Sequence, residues 1–385
     1  MNVIVWGINY SPELTGIAPF NVALCEYLVQ SGCIVEMVTA FPYYPQWSKR
    51  SCDRGKLYDS KLINGVRVNR CWLYVPGRVS ALRRIAHEGT FVMSSFFRVL
   101  FLKRPSVFVV VSPPLMLGVA AWLAGIVKRA PFVFHVQDLQ PDAAVGLGML
   151  RKGWLTNILY WMESFVYLRA AKVSGISPGM LEMFRIKSVP DRKILFFPNG
   201  VVIPTSVPVP GLFRAREGVG RNSFIAVYSG NLGVKQDLDI LVDVAKKLAE
   251  EVNNSGFSRR SLKSIIIVIA GDGARRTVLA ESIKKASLKN IRLLPLQSHD
   301  EYREMLVDAD CILITQQSGS GSFFFPSKLL TALALKRPIL GVSDGSSELA
   351  KAIAAGGFGV NVPPGQPELL ASVLLKWAAC ASSES

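Results

Sequence analysis

Apolar, β-branched runs of strand length alternate with stretches of helical periodicity along this chain, and that alternation admits few folds. Val3–Trp6, Ile34–Thr39, Val66–Arg70, Val107–Val111, Phe132–Val136, Lys172–Gly175 and Ile194–Phe197 read as one series of strands. A second series runs through Phe224–Tyr228, Ile265–Ala270, Ile291–Leu294, Cys311–Ile314, Pro338–Val342 and Gly359–Val360. Strands spaced by helices in this way predict α/β structure with mostly parallel sheets, here as two Rossmann-like halves in tandem. A length of 385 residues also exceeds what one core ordinarily holds. The proline-rich stretch Pro198–Pro210 reads as the join, so the expected domains are residues 1–198 and 211–365 with a linker at 199–210. A C-terminal helix and tail, 366–385, could pack on either domain, the N-terminal one included.

The apolar stretch Val107–Val127 is long enough on paper to cross a bilayer. Pro113 and Pro114 interrupt it, which predicts a strand followed by a helix rather than a membrane span.

Residues 228–240, YSGNLGVKQDLDI, carry the most chemical information. A strand enters a turn holding Gly230 and Gly233, then Lys235, then apolar residues at helical spacing from Leu238 to Ala245. Glycines let a backbone approach an anion, amides and the helix dipole favour it, and the lysine adds formal charge. The alternative is a plain helix entry with a solvated lysine.

Half of the residues are hydrophobic, yet the formal net charge is +16. That combination suits an anionic membrane surface or an anionic substrate. No homeodomain, zinc-finger, RRM or KH signature supports nucleic acid as the partner. The six cysteines lack CxxC spacing and are expected to be mostly buried free thiols. Without a disulfide framework or signal peptide pattern, the cytoplasm is the expected compartment. His87, His135 and His299 are too dispersed for a metal centre, so no metal or other cofactor is expected. Residues 80–104 interleave Arg83, Arg84, Arg98, Lys103 and Arg104 with Phe91, Phe96, Phe97 and Phe101. They predict either a helix lying in a bilayer interface or a solvated charged face over a core-facing aromatic stripe.

Nine motifs in order cover nearly the whole length: YSPELTG at 10–16, FPYYPQW at 41–47, NGVRVNR at 64–70, SPPL at 112–115, HVQDLQPD at 135–142, PNGV at 198–201, SGNLGVKQ at 229–236, AGDG at 270–273 and PSKLLTALALKRP at 326–338. Together they resemble the retaining, GT-B-fold glycosyltransferases of family 4, in particular the group acting in colanic acid and other exopolysaccharide biosynthesis. The resemblance implies two Rossmann-like domains facing a central cleft, the C-terminal one for a nucleotide sugar and the N-terminal one for the acceptor. It implies metal-independent transfer from a UDP- or GDP-linked donor to a lipid-linked saccharide, at the cytoplasmic face of the cell membrane.

By that resemblance Gly16, Gly230, Asn231, Gly233, Gly271, Ser327 and Glu348 would contact the donor. Lys235, Lys328 and His135 would be catalytic, the lysines meeting the charge that builds on the departing diphosphate. Thr15 and Asp138 would contact the acceptor. Each has a plainer alternative: a surface lysine, an N-cap serine, a structural histidine, an ordinary turn, or, for Asp138 and Asp142, a helix cap. The sequence departs from the family where many members carry two glutamates: Phe323 and Thr331 occupy those places. Lys336 replaces a glycine, Asn231 an arginine and Asp237 another glycine. Two other functions therefore stay open, a GT-B-fold epimerase and a non-catalytic partner subunit of a polysaccharide assembly complex. A nicotinamide dehydrogenase is disfavoured, because no GxGxxG follows the first strand.

Overall fold

The computed structural model describes residues 1–13, 16–77, 80–146, 150, 153–201, 207–254, 264–319, 326 and 328–383. The chain divides into two compact units, Met1–Asn199 and Gly200–Ser385.

In the first unit, β1 (Asn2–Trp6), β2 (Ile34–Ala40), β3 (Tyr58–Ile63), β4 (Val66–Cys71), β5 (Val107–Ser112), β6 (Phe132–Val136), β7 (Lys172–Gly175) and β8 (Ile194–Phe196) form one sheet. Their order is β3-β4-β2-β1-β5-β6-β7-β8, parallel except for β3 against β4. The helices are α1 (Ala18–Gln30), α2 (Ala81–Phe101), α3 (Met116–Lys128), α4 (Gln140–Gly146), α5 (Trp154–Arg169) and α6 (Pro178–Ile186). β3 is an addition to the expected strands. Ile63 pairs with Val66 across Asn64 (φ 48°) and Gly65 (φ 80°), a two-residue turn whose left-handed backbone an Asn-Gly pair tolerates well.

In the second unit a short helix, α7 (Leu212–Arg216), precedes β9 (Phe224–Asn231), α8 (Asp239–Asn254), β10 (Ile265–Asp272), α9 (Arg276–Lys285), β11 (Ile291–Leu294) and α10 (His299–Asp308). β12 (Cys311–Thr315), α11 (Lys328–Ala334), β13 (Ile339–Val342), α12 (Glu348–Gly356), β14 (Gly359–Val362) and α13 (Pro367–Ser383) complete it. The strand order β11-β10-β9-β12-β13-β14 is parallel throughout. Period-two alternation along β9 feeds both faces: Phe224, Ala226 and Tyr228 enter one buried cluster, and Ile225 and Val227 the other. The apolar stripe of α8 packs where its spacing predicts, with Leu241, Val242, Val244 and Ala245 all buried, as is Leu238 just before the helix. α13 closes the same layer through Leu370, Leu374 and Ala378, packed against α8. The C-terminal helix thus builds the second unit's core.

The stretch Val107–Val127 is divided at Pro113-Pro114 into β5 and α3. Among the described residues no helix is long and apolar enough to cross a membrane. The cysteines are all free, but only Cys25, Cys71 and Cys311 are buried; Cys52 and Cys380 are exposed, contrary to the expectation that most lie inside.

Candidate active site

In a doubly wound sheet the ligand crevice opens at the carboxyl ends of strands where the winding reverses. In the second unit that point lies between β9 and β12, since the chain first builds outward from β9 through β10 to β11 and then returns to β12. β9 delivers Gly230 and Asn231 to this rim, and α11 begins there with Lys328. The ammonium of Lys328 lies 3.6 Å from the centroid of the buried Tyr228 ring. Its stem crosses Gly230 so closely that a β-carbon there would stand 2.7 Å from Lys328 Cε. Burial lowers the lysine to about 7, with no carboxylate among the causes. A cation on an aromatic face, desolvated and, among the described residues, without a carboxylate at ion-pair distance, is prepared for an anion.

The surrounding turn is built from backbone. Gly271 pairs with Gly230 in register, and a β-carbon on Gly271 would meet the Gly230 carbonyl oxygen at 1.8 Å. Gly271 therefore acts through close packing of the turn that carries Gly230. The Gly233 N–H donates to Gln236 Oε1 at 3.1 Å. Lys235 sits in a single 3-10 turn, Val234–Gln236, and α8 starts only at Asp239. Lys235 is half-buried, and its carbonyl accepts from the Gln317 N–H at 2.9 Å, tying the turn after β9 to the segment after β12. Glu348 opens α12 and lies 3.5 Å from Lys351, close behind the N-cap Ser347. Gly230, Asn231, Gly233, Gly271, Lys235 and Lys328 thus share one rim; Ser327 lies outside the described residues.

In the first unit His135 is the penultimate residue of β6, 3 % exposed. Its Nδ1 lies 2.9 Å from Ser174 Oγ and its Nε2 2.8 Å from Gln137 Nε2. An amide nitrogen can only donate, so Nε2 is the acceptor and the proton resides on Nδ1. Burial lowers the ring to about 4, which keeps it neutral near pH 7. Gln137 and Asn199 exchange amide hydrogen bonds at 2.8 and 2.7 Å, joining the end of β6 to the segment after β8. Tyr44 and Arg84 both feel the charge of Asp138. Asp142 is engaged elsewhere: it receives Tyr160 Oη at 3.2 Å and pairs with Lys187, which also pairs with Glu163. Gly16 (φ 67°) faces the Tyr44 ring; Thr15 lies outside the described residues.

Glu13, in the loop after β1, was not among the expected site residues. Its carboxylate accepts from the Tyr43 and Tyr44 amides, each at 2.9 Å, and from Asn9 Nδ2 at 2.8 Å. Burial raises its pKa and these donors oppose the shift. It fastens the loop after β1 to the loop after β2. Arg70 supports the same junction through the Ala40 carbonyl at 3.2 Å and the Ser11 carbonyl.

Residues 15–200 match the family described as glycosyl transferase 4-like domain, and residues 212–384 the glycosyl transferases group 1. WcaI of Escherichia coli (strain K12), named as a glycosyl transferase of colanic acid biosynthesis, is 32% identical over 360 residues, 91% of this chain and 85% of that protein. This chain belongs to the WcaI-like glycosyltransferases of family 4.

Solved GT-B glycosyltransferases share the fold. HepE of Anabaena, crystallised with UDP and glucose, superposes with TM-score 0.66 at 13% identity, covering 100% of this chain and 93% of that one. WaaG, a glycosyltransferase of lipopolysaccharide biosynthesis, gives TM-score 0.66 at 15% identity, covering 99% and 93%. Within the family frame the departures have visible partners. Burial raises the pKa of the Tyr302 hydroxyl, and Ser229 and Thr331, the latter in place of a glutamate, oppose that rise. Lys336 occupies a left-handed position (φ 54°) that the usual glycine would adopt more easily. Phe323 lies outside the described residues. Tyr228, the platform beneath Lys328, escaped the sequence reading although it stands two residues before Gly230. Its signal was there: an aromatic ring at the last inward-facing position of the strand.

Proposed function

We propose that this glycosyltransferase moves a sugar, with retention of anomeric configuration, from a UDP- or GDP-linked donor to a lipid-linked saccharide in surface polysaccharide biosynthesis. The observation that carries the reading is the Lys328 ammonium, held desolvated over Tyr228 against the Gly230 turn at the switch point. As the glycosidic bond breaks, its electron pair goes to the diphosphate, and a cation already in place stabilises that charge without reorganising. Lys235 is the second cation on this rim. Two lysines and backbone amides supply what a divalent metal would otherwise supply, so the transfer is metal-independent and needs no further cofactor. The complex of HepE with UDP-glucose and the colanic acid role named for WcaI favour a nucleotide-sugar donor and an exopolysaccharide product.

The acceptor belongs to the first unit in this reading, with Asp138 and Gly16 at its carboxyl rim. A lipid-linked acceptor requires contact with the cytoplasmic membrane face. The first unit presents Leu82, Met93, Phe97 and Phe101 of α2, and Ile126 and Val127 of α3, with Trp154 and Trp161 of α5, all exposed. Exposed apolar residues on three helices, accompanied by Arg83 and Lys103, suit an interfacial rather than a spanning association.

The test is transfer by the purified chain from a panel of UDP- and GDP-sugars to lipid extracts, with the product's anomeric configuration read by NMR. Retention, and turnover unchanged by EDTA, are expected. Inversion, or activity abolished by EDTA and restored by Mg²⁺, would refute the proposed chemistry.

A further inference from the structure

Away from His135, the parallel neighbours β2 and β4 send their following segments off the same rim of the first sheet. Trp47, Lys49 and Arg54 from one segment and Trp72 and Tyr74 from the other line a pocket of about 380 Å³. Its walls are positioned. Trp47 adopts φ 51°, a left-handed backbone that a bulky residue holds only when its surroundings impose it. Its indole lies 5.6 Å from the Tyr43 ring and 5.1 Å from the His87 ring, both buried. The backbone of Tyr74 donates to Thr90 Oγ1 at 2.9 Å and accepts from His87 Nδ1 at 2.5 Å.

Among the described residues, the charged side chains lining this pocket are both cations, Lys49 and Arg54. Lys49 Nζ stands 4.7 Å from the Trp72 ring centroid. Burial alone lowers its pKa. Among the described residues no carboxylate lies within ion-pair distance of Lys49 or Arg54; the nearby Asp53 is taken by Arg50 at 2.7 Å. Aromatic faces accept the C–H face of a pyranose ring. Guanidinium and ammonium groups without counter-charges accept a carboxylate. A neutral sugar is ordinarily met by carboxylate and amide acceptors that take its hydroxyl protons; among the described residues the lining side chains offer only the Ser48 and Tyr74 hydroxyls for that purpose.

We propose that this pocket is a subsite for an acidic sugar of the acceptor, its ring against Trp47, Trp72 and Tyr74 and its carboxylate on Lys49 and Arg54. The inference rests on the reading that the first unit holds the acceptor, and it adds the chemical class of that acceptor.

Tryptophan fluorescence of the full chain, titrated separately with methyl β-D-glucuronide, methyl β-D-glucoside and inorganic phosphate, tests it. The glucuronide should bind about tenfold more tightly than the glucoside, and phosphate more weakly than the glucuronide. In the double variant K49Q/R54Q the preference should shrink to about twofold, with the melting temperature unchanged. Trp72→Leu, checked for folding by its melting temperature, should weaken both sugars. Equal binding of the two glycosides by the unaltered chain, phosphate binding as tight as glucuronide, or a preference that survives K49Q/R54Q would overturn the assignment. A UDP thermal shift is run in parallel. Its loss in the unaltered chain would count against the donor reading and leave the glucuronide result standing on its own.

Discussion

Lys328 and Gly230 fit together with no atom to spare: a β-carbon on the glycine would stand 2.7 Å from the lysine Cε. The glycine's missing side chain is the passage by which the lysine reaches the Tyr228 ring, 3.6 Å away. A backbone requirement and a charge requirement are met at one point on the rim.

Lys328→Ala should lower kcat/KM by about 2–4 kcal/mol of transition-state stabilisation, roughly 30- to 1,000-fold, with little change in melting temperature. Burial brings Lys328 to about 7, so the ammonium is present below that pH and is lost above it. UDP affinity should therefore fall as pH rises from 7 toward 9, and the Lys328→Met variant should show a flatter profile. Calorimetric titration of UDP at several pH values checks both. An unaltered pH profile in the variant would move the role to Lys235.

The two paired glycines should separate in their effects. Gly230→Ala introduces a side chain at φ 118° and into the path of Lys328, so UDP binding should fail more than folding does. Gly271→Ala places a β-carbon 1.8 Å from the Gly230 carbonyl and should cost about 3 kcal/mol of stability, at the upper end of overpacking penalties. Denaturant unfolding and UDP titration of both variants distinguish the cases.

Burial lowers both His135 and His87 to about 4 from an ordinary 6.5. The unfolded chain therefore binds protons more readily than the folded one between these values. The stability held by the two neutral rings is complete above pH 6.5 and is lost as pH falls through 4, up to ~3 kcal/mol for each ring. Unfolding free energies measured from pH 7.5 to 4.5 should decline, and His135→Asn should reduce the slope. The same assignment predicts no break near pH 6.5 in the kcat profile from His135.

Membrane retention should respond to salt and to α2. Each basic side chain near an anionic surface contributes on the order of 1 kcal/mol, weakened by salt. High salt should release the chain from anionic vesicles, and Phe97→Ser with Phe101→Ser should do so at low salt. Arg98→Gln should act differently, because its guanidinium is spent on Ser60 Oγ at 2.7 Å and Asn69 Oδ1 at 2.9 Å, holding α2 to β3 and β4. Its effect is expected on stability rather than on vesicle binding. Flotation with and without salt decides.

Most of the sheet was legible because a parallel strand buried on both faces leaves a continuous apolar run, as in IIIVIA of β10. β3 was not, since YDSKLI at a sheet edge is mostly exposed and carries no such run. The Asn64-Gly65 pair beside it was the available signal. Around the site, the glycine turn and its lysines were readable as motifs, while the Tyr228 platform and the Glu13 staple were not, since each depends on partners distant in the chain.

Local chemistry by itself determined the tandem α/β pattern, the interruption at Pro113-Pro114, the glycine-and-lysine segment after β9 and the family, because strand hydrophobicity, proline stereochemistry and glycine freedom are properties of neighbouring residues. Tertiary structure alone decided that Lys328, roughly a hundred residues after Gly230, lies across it. It also decided that His135 is a neutral ring with both nitrogens engaged, and that Trp47 and Trp72 face one pocket. The winding order of a sheet decides which carboxyl ends meet, and desolvation depends on everything that packs around a group; neither is written in a residue's immediate neighbours.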